Sequence, residues 1–157
     1  MIDGARPEVV FRVLLVEDDP DHAELVRRGL EEQQAPVAIT VLEDGEAALD
    51  YLRGGVLTNG QRPHLILLDL RLPRMDGLQL LREVKTLPEL RAIPCVVLTT
   101  SDAERDVARA YELHANSYLV KPGESGRFTE LMGQVERYWL RSNRQAVATP
   151  AALPPPQ

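Results

Sequence analysis

Apolar and polar positions follow one another along the chain in two different rhythms. Residues 13–16, 65–68 and 95–98 are continuous apolar runs, which are typical of strands buried on both faces of a sheet. Residues 37–41 place an apolar side chain at every second position, and residues 117–120 form one more short segment of strand type. The pattern therefore predicts five strands.

The stretches between these strands carry apolar residues at helical spacing. The predicted helices begin after Asp19 and Asp44, which are candidate N-caps, and cover about residues 77–86, 103–113 and 127–140. On the first helix, His22 shares the apolar face with Leu25 and Val26. Residues 54–62 contain three glycines and an asparagine and are predicted to form a loop. Five strand–helix units predict a doubly wound α/β fold, with a five-stranded parallel sheet and helices on both faces.

Length and composition indicate one folded unit followed by a tail. The chain has 157 residues, of which 44% are hydrophobic and 27% charged, close to the average of soluble globular proteins. We place the folded domain at residues 9–142. Residues 143–157 hold four of the twelve prolines and lack apolar periodicity, so they are predicted to be an extended or disordered Pro/Ala-rich tail.

Charge, cysteine content and hydropathy exclude several classes of protein. The net charge of −6 argues against binding nucleic acid or an anionic membrane through the overall field. The single Cys95 forms no internal disulfide and supplies no zinc cluster, which suits a reducing cytoplasm. No apolar run reaches the roughly 18 residues of a membrane span, and the N-terminus lacks a signal peptide. We therefore expect a cytoplasmic protein whose partners are neither nucleic acid nor membrane.

Polar side chains follow four of the predicted strands at the point where each strand ends. They are Glu17 and Asp18 after the first strand, Asp69 after the third, Thr99 and Thr100 after the fourth, and Lys121 after the fifth. Because the carboxyl ends of parallel strands meet at one edge of the sheet, we expect these side chains to converge. Each one alone also fits a helix cap, a turn residue or a surface charge. A cap, however, does not require three carboxylates, a hydroxyl and a lysine at successive strand ends.

This set of side chains favours one kind of chemistry. Carboxylates 4 Å apart repel by about 4 kcal/mol per pair at an effective dielectric constant of 20, and a hard divalent cation relieves that repulsion. Oxygen ligands suit Mg²⁺ better than zinc or copper. One carboxylate then attacks an electrophilic phosphorus while Mg²⁺ and Lys121 neutralise the phosphoryl oxygens and Thr99 donates a hydrogen bond. The pattern indicates phosphoryl transfer onto a carboxylate, which yields an acyl phosphate.

Four segments, 15–19, 67–77, 98–101 and 118–122, resemble the receiver domain of bacterial response regulators in sequence, order and spacing. The resemblance covers about residues 11–139 and implies a flavodoxin-like fold with strand order 2-1-3-4-5. It makes Asp69 the phosphoacceptor.

The same resemblance assigns the remaining site residues. Glu17, Asp18, Asp69 and the backbone carbonyl of Arg71 would hold Mg²⁺, Thr99 and Tyr118 would form the switch pair, and Lys121 would contact the phosphoryl group. Lys121 precedes Pro122, whose peptide bond is usually cis in the family. The chain departs from the family at His114, where a glycine usually stands.

The resemblance also implies a biological role. The protein would be a single-domain response regulator of a two-component phosphorelay that accepts its phosphoryl group from a sensor histidine kinase. It would switch rather than act as an enzyme on an outside substrate. Signalling and homodimerisation are expected on the face of the fourth helix, fifth strand and fifth helix. The stretch after Pro122 is too short for an output domain. Residues 113–118, with 99–101 and 138–140, resemble regulators paired with phytochrome-type kinases.

Two other classes of protein share part of this pattern. An aspartyl-nucleophile phosphohydrolase would share Asp69, Thr99 and Lys121, but it normally carries a second Asp two residues after the nucleophile, where this chain has Arg71. A receiver-like adaptor that works without phosphorylation usually lacks the acidic pair, the acceptor Asp or the Lys, and all of these are present here. Both remain alternatives to the phosphorylated receiver.

Overall fold

Five parallel strands form one sheet in the order β2-β1-β3-β4-β5 in the computed structural model of the chain, which describes residues 10–59 and 61–145. The predicted order is confirmed. The elements are β1 Phe11–Val16, α1 Pro20–Glu31, β2 Val37–Leu42, α2 Gly45–Asn59, β3 Leu65–Leu68, α3 Gly77–Thr86, β4 Cys95–Thr99, α4 Glu104–Glu112, β5 Ser117–Val120, α5 Ser125–Val135 and a terminal π-helix, Glu136–Ser142. Residues 146–157, most of the predicted tail, lie outside the described residues. No described helix is long and apolar enough to cross a membrane.

The sheet is buried on both faces because its three central strands contain continuous apolar runs, residues 13–16, 65–68 and 95–98. Successive side chains of a strand point to opposite faces, so each central strand contributes to two separate cores. Leu14 and Ile66 pack towards α2, α3 and α4, whereas Leu15 and Leu67 pack towards α1 and α5. Burying each such side chain stabilises the fold by about 1.5–3 kcal/mol. The continuous apolar runs in the sequence thus place the sheet at the centre of the molecule.

Strand register sets the positions of the side chains that follow the strands. Val16 of β1 pairs with Leu68 of β3, so Glu17 and Asp69 leave the sheet side by side. The backbone N–H of Asp69 donates to the carbonyl oxygen of Val16 at 3.0 Å, which extends the ladder by one residue. In the same way, the N–H of Lys121 donates to the carbonyl of Thr99 at 2.7 Å. Backbone hydrogen bonds therefore hold the first residue beyond each strand.

The second helix is longer than the sequence pattern predicts. The expectation of a loop over 54–62 is wrong for residues 54–59, because α2 continues to Asn59. Glycine costs a helix about 1 kcal/mol relative to alanine, but this local preference is weak when the helix is held by tertiary packing. Ala48 and Leu52 are fully buried against the sheet and fix the direction of the helix before it reaches Gly54.

The last helix changes its winding where the sequence predicts a regular helix over 127–140. It begins at Ser125 and becomes a π-helix at Glu136. The buried carboxylate of Glu136 accepts hydrogen bonds from the N–H of Ala35 at 3.0 Å and from Nε of Arg141 at 2.9 Å. Arg141 lies five residues after Glu136, and the N–H of Asn143 likewise bonds to the carbonyl five residues back at Tyr138. The wider turn brings these pairs together.

His114 keeps the backbone shape that a glycine usually provides at this position. Its φ angle is 71°, in the left-handed region that most residues avoid, although histidine enters it more readily than most. The N–H of His114 donates to the carbonyl of Tyr111 at 3.0 Å, which ends α4. The departure from the family pattern changes the residue and leaves the turn intact.

Gly77 begins α3 directly against the chain that follows Asp69. Its N–H donates to the carbonyl of Leu70 at 2.8 Å, while the Asp76 side chain caps the helix and exchanges hydrogen bonds with Gln79. A Cβ atom on Gly77 would lie 2.1 Å from the carbonyl oxygen of Asp69, a distance that no packed carbon tolerates. The close approach of α3 to Asp69 therefore requires glycine.

We expect Gly77→Ala to lower the free energy of unfolding by about 2 kcal/mol, because the new methyl group forces the backbone of Asp69 or the start of α3 to move. The matched control is Gly126→Ala in α5, where the added Cβ meets no atom within 4 Å. This control should raise stability by about 0.5 kcal/mol through better helix propensity. Urea denaturation measures both, and equal stability of the two variants would contradict the close approach.

Candidate functional site

Four of the side chains expected at the sheet edge meet there and are buried. They are Glu17, Asp69, Thr99 and Lys121. The ammonium group of Lys121 lies between the two carboxylates and donates to Oδ2 of Asp69 at 2.6 Å and to Oε1 of Glu17. The ion pairs are almost completely removed from water. Because a buried carboxylate without a counter-charge is very costly, Lys121 is what allows both acids to remain in the interior.

Both oxygens of Asp69 accept hydrogen bonds. Oδ1 accepts from the hydroxyl of Thr99 at 2.8 Å and from the backbone N–H of Arg71 at 3.2 Å, while Oδ2 faces Lys121. Burial raises the pKa of Asp69, but the hydrogen bond and charge of Lys121, with the bonds from Thr99 and Arg71, outweigh it, and the net pKa is lowered. The carboxyl group is therefore ionised at neutral pH, the form in which it can act as a nucleophile.

Glu17 differs from Asp69 although both contact the same lysine. Burial raises the pKa of Glu17, and the hydrogen bond and charge of Lys121 only partly oppose that effect. The Oε2 atom of Glu17 also accepts the N–H of Asp19 at 3.2 Å, at the start of α1. The neighbouring negative charge of Asp69 raises the pKa of Glu17 further. Of the two acids, Glu17 is the one that takes up a proton more readily.

His22 joins this group and was missed as a functional candidate by the sequence interpretation. Its Nδ1 lies 2.9 Å from Nζ of Lys121. An ammonium group has three donors and no acceptor, so Nδ1 must be the unprotonated nitrogen of the ring in this contact. Lys121 then donates to Glu17, Asp69 and His22, which uses all three of its protons. The signal in the sequence was a polar ring on the apolar face of the first helix.

Asp18 does not join the buried cluster held by Lys121, so two of the three expected carboxylates meet there and the third remains outside. Its side chain is exposed and has no hydrogen-bond partner among the described residues. The physical reason is that Lys121 supplies one positive charge to Glu17 and Asp69, and a third buried carboxylate would have no counter-charge. Asp18 therefore lies in water at the rim of the site. Thr100 is also exposed.

The chemistry of the donor set fits a hard divalent cation, although the side chains are not gathered around one. Within residues 10–59 and 61–145, no group of three His, Cys, Asp or Glu side chains lies close enough to hold a metal ion. The available ligands are the carboxylates of Glu17, Asp18 and Asp69 and the carbonyl of Arg71. All are oxygen atoms, the ligands that Mg²⁺ prefers. Lys121 stands between two of these ligands.

The two side chains of the expected switch pair are in different environments. Thr99 is buried on Asp69, whereas Tyr118 is half-buried and its hydroxyl donates to the carbonyl of Ser101 at 2.9 Å. Burial raises the pKa of Tyr118, as do the negative charges of Asp106 and Asp102, so the phenol is protonated and acts as a donor. That hydrogen bond ties β5 to the chain that leaves β4.

The peptide bond between Lys121 and Pro122 is trans, so the expected cis bond is not observed. No cis peptide bond occurs in the part of the chain that the structure describes. Lys121 reaches Glu17, Asp69 and His22 with the trans bond, and the N–H of Lys121 remains in the ladder with Thr99.

The family model described as "Response regulator receiver domain" matches residues 13–132 of the chain. The chain belongs to the response regulator receiver domain family. It is 44% identical over 142 residues to a probable methanogenesis regulatory protein, FilR2, of Methanothrix harundinacea, covering 90% of this chain and 92% of the relative. It is 41% identical over 153 residues to the response regulator Rcp1 of Synechocystis sp., covering 97% of this chain and all of Rcp1.

Two solved receiver structures match the fold. The Mn²⁺-bound form of Rcp1 superposes with a TM-score of 0.81 at 40% identity, covering 87% of this chain and 99% of that one. The phosphorylated cyanobacterial phytochrome response regulator RcpA superposes with a TM-score of 0.84 at 36% identity, covering 88% of this chain and the whole of RcpA. The receiver fold expected from the sequence motifs is confirmed by these structures.

We expect Lys121→Met to lower the free energy of unfolding by about 3 kcal/mol at pH 7 in a chelating buffer, because it leaves two buried carboxylates without a counter-charge. Loss of Lys121 removes the main interaction that lowers the pKa of both acids. In the variant, the folded-state pKa values of Glu17 and Asp69 therefore lie above their unfolded-state values, which favours folding at low pH. This advantage is lost as the pH rises through those folded-state pKa values. The deficit should therefore be smaller at pH 4.5 than at pH 7.

The control is Arg105→Met, which removes one positive charge from an exposed position on α4. It should change stability by less than about 0.5 kcal/mol at either pH. Chemical denaturation of the two variants and the parent protein gives the comparison. A similar loss in both variants, or a deficit independent of pH, would contradict the counter-charge role of Lys121.

Proposed function

We propose that this protein is a single-domain response regulator of a two-component phosphorelay and that Asp69 accepts a phosphoryl group from a sensor histidine kinase. The observation that carries the proposal is the ionised, buried carboxylate of Asp69, held between Thr99 and Lys121 at the carboxyl edge of the sheet. A helix cap or a turn residue does not require a hydroxyl from β4 and an ammonium from the residue after β5 aimed at its two oxygens. The full-length match to Rcp1 supports the single-domain assignment.

The transfer follows from the groups on Asp69. A carboxylate oxygen of Asp69 attacks the phosphorus of a phosphohistidine whose other ring nitrogen carries a proton, the P–N bond breaks, and the histidine leaves as neutral imidazole. The product is an aspartyl phosphate. Thr99 and Lys121 already donate hydrogen bonds to the carboxylate and are placed to hold the oxygens of the transferred group. The domain promotes only its own phosphorylation and dephosphorylation.

Mg²⁺ is the proposed cofactor, held by Glu17, Asp18, Asp69 and the carbonyl of Arg71. When bound, it supplies positive charge to the transferring phosphoryl group. The Mn²⁺-bound form of the relative Rcp1 supports a divalent cation. Lys121 contacts Glu17 and Asp69 in this structure, so its charge and that of a cation compete for the same two carboxylates.

The proposed output is a change in the face formed by α4, β5 and α5. Thr99 on β4 and Tyr118 on β5 link this face to Asp69, and Tyr118 is bonded to the carbonyl of Ser101. Tyr111, Val120 and Tyr138 expose 48%, 43% and 55% of their surface on or beside that face. Large apolar residues exposed on one face favour a protein contact there. We propose that a second copy of the chain covers them.

The kinase is proposed to be of the phytochrome type and the protein to be cytoplasmic. Support for the kinase class comes from the likeness to RcpA, which is a phytochrome response regulator, and from the bacteriophytochrome response regulator AtBRR, 39% identical with a TM-score of 0.63. Phosphotransfer between a purified phytochrome-type kinase and this chain is the direct way to examine the pairing.

Incubation with acetyl phosphate and Mg²⁺ should add one phosphoryl group to the full chain, measured by intact-protein mass spectrometry. The added mass should vanish in Asp69→Asn, because the amide is not a nucleophile of comparable strength. The matched control is Asp50→Asn, an exposed acid on α2, which should be phosphorylated like the parent protein. A parent protein that gains no mass would overturn the proposal and favour an adaptor that works without phosphorylation.

The metal requirement is read from the same assay. Phosphorylation should stop when a chelator is added, and Asp18→Asn should need at least tenfold more Mg²⁺ for the same rate, because it loses one of three carboxylate ligands. Asp21→Asn, three residues further along the chain, is the control and should keep the parent requirement. An unchanged Mg²⁺ requirement in Asp18→Asn would remove Asp18 from the ligand set.

Sedimentation velocity should show a dimer whose population increases with protein concentration and after phosphorylation. Tyr111→Glu should shift the protein towards monomer by at least tenfold in dissociation constant, because it places a charge in the apolar contact of α4. The control is Val10→Glu, which is 44% exposed but precedes β1 and lies away from the proposed face. A monomer at all concentrations, phosphorylated or not, would exclude the dimer.

A further inference from the structure

A basic cavity lies at the amino-terminal edge of the sheet, opposite the phosphoacceptor site. Its volume is about 240 Å³. The cavity is bounded by Arg12 near the start of β1, by residues that precede β3, β4 and β5, and by the chain that follows the π-helix. The polar side chains in its lining include Arg12, Arg62, His64, Asn116 and Arg144. No Asp or Glu contributes to the described lining.

Strands β1, β3 and β5 connect the two sites. A residue of the phosphoacceptor site follows each strand, and a residue of the cavity lies at or just before its start. Arg12, His64 and Asn116 each lie five residues before Glu17, Asp69 and Lys121, respectively. Five residues of strand span about 16 Å. The same parallel arrangement that gathers the acidic site at one edge of the sheet gathers a basic one at the other.

The three arginines of the cavity are not neutralised by acids. None of them forms an ion pair with a carboxylate among the described residues, whereas seven other arginines do. Nε of Arg12 donates to the carbonyl of Arg62 at 2.9 Å, and Nη1 of Arg62 donates to the carbonyl of Glu89 at 2.7 Å. These bonds fix the side chains without cancelling their charge. Positive charge left unpaired in a concave site of an acidic protein attracts anions.

His64 adds a neutral donor to the cavity. Its Nδ1 accepts the backbone N–H of Arg12 at 2.8 Å, so the proton of the neutral ring is on Nε2. Burial lowers the pKa of His64, and the charge of Arg12 lowers it further, which keeps the ring neutral at physiological pH. The ring also packs edge-on against Phe11, with centroids 5.5 Å apart. His64 is thereby held in one orientation.

The size and donors of the cavity restrict the chemistry of its ligand. Pockets for drug-sized molecules occupy roughly 300–1,000 Å³, so this cavity suits a smaller one. Guanidinium groups present parallel N–H donors that match the oxygens of phosphate and similar anions. A monovalent halide would leave most of those donors unused. A compact oxyanion with several charges uses them together.

We propose that this cavity binds a compact tetrahedral oxyanion, inorganic phosphate or an ion of its size and charge, between Arg12, Arg62 and Arg144. The site is separate from the phosphoacceptor site and does not depend on phosphorylation of Asp69. Binding there joins the starts of β1, β3 and β5 to the chain after the π-helix, because all of them contribute to the lining.

The only tryptophan of the chain provides a local probe. Trp139 lines the cavity, and the N–H group of the Gln145 side chain donates to its carbonyl oxygen at 2.8 Å. Titrating the full chain with sodium phosphate, against sodium chloride at equal ionic strength, should give a saturable change in tryptophan fluorescence with phosphate only. A change of equal size with chloride, or none with phosphate, would overturn the proposal.

Variants then locate the binding site. Arg62→Gln combined with Arg144→Gln should weaken phosphate binding at least tenfold, and Arg144→Gln alone should weaken it measurably, since Arg144 is exposed and its loss does not threaten folding. Arg105→Gln, an exposed arginine on α4, is the charge-matched control and should bind like the parent protein. A response lost in Arg105→Gln, or kept in Arg144→Gln and the double variant, would place the anion elsewhere.

Discussion

The ammonium group of Lys121 determines what the rest of the site can be. Two carboxylates buried side by side would repel each other and would each carry a large desolvation penalty, and one lysine between them removes most of both effects. Because the three protons of Lys121 are shared among Glu17, Asp69 and His22, the positions of three elements are tied to one atom. The same contact explains why the two acids have opposite pKa shifts: Asp69 has further donors, and Glu17 has fewer.

The parallel sheet supplies the geometry that this interaction needs. Continuous apolar runs bury β1, β3 and β4 on both faces, so the polar residues that follow them have only the sheet edge on which to lie. Register then decides which polar residues are neighbours: Val16 opposite Leu68 places Glu17 beside Asp69. Gly77 lets the start of α3 lie directly against the backbone of Asp69. Stability and function therefore rest on the same short segments.

The sequence pattern was sufficient for features set by periodicity and topology, and insufficient for those set by a single distant contact. The strands and the meeting of Glu17, Asp69, Thr99 and Lys121 follow from apolar runs and from parallel connection, and the strand order follows from the resemblance to receiver domains. The exposure of Asp18 does not follow from the sequence pattern, because it depends on how many positive charges reach the interior. The π-helix likewise depends on a hydrogen bond between Glu136 and Ala35, 101 residues apart. No local sequence pattern reveals such a pair. The glycines near the end of α2 led to a wrong loop prediction for a similar reason, because tertiary packing rather than local preference holds that helix.

The two edges of the sheet carry opposite charge, and this has a physical consequence. Five residues of strand connect each acid or lysine of one edge to a basic or polar residue of the other. A strand held in a backbone ladder does not stretch, and β5 is paired with β4 along its length, so a displacement of β5 at Lys121 is also a displacement at Asn116. Asn116 is held by Lys85 at 2.9 Å and by the N–H of Cys95 at 2.8 Å, which binds the start of β5 to β4. A shift of β5 therefore has to act against both contacts, and an anion bound beside Asn116 would add a third constraint to the same strand.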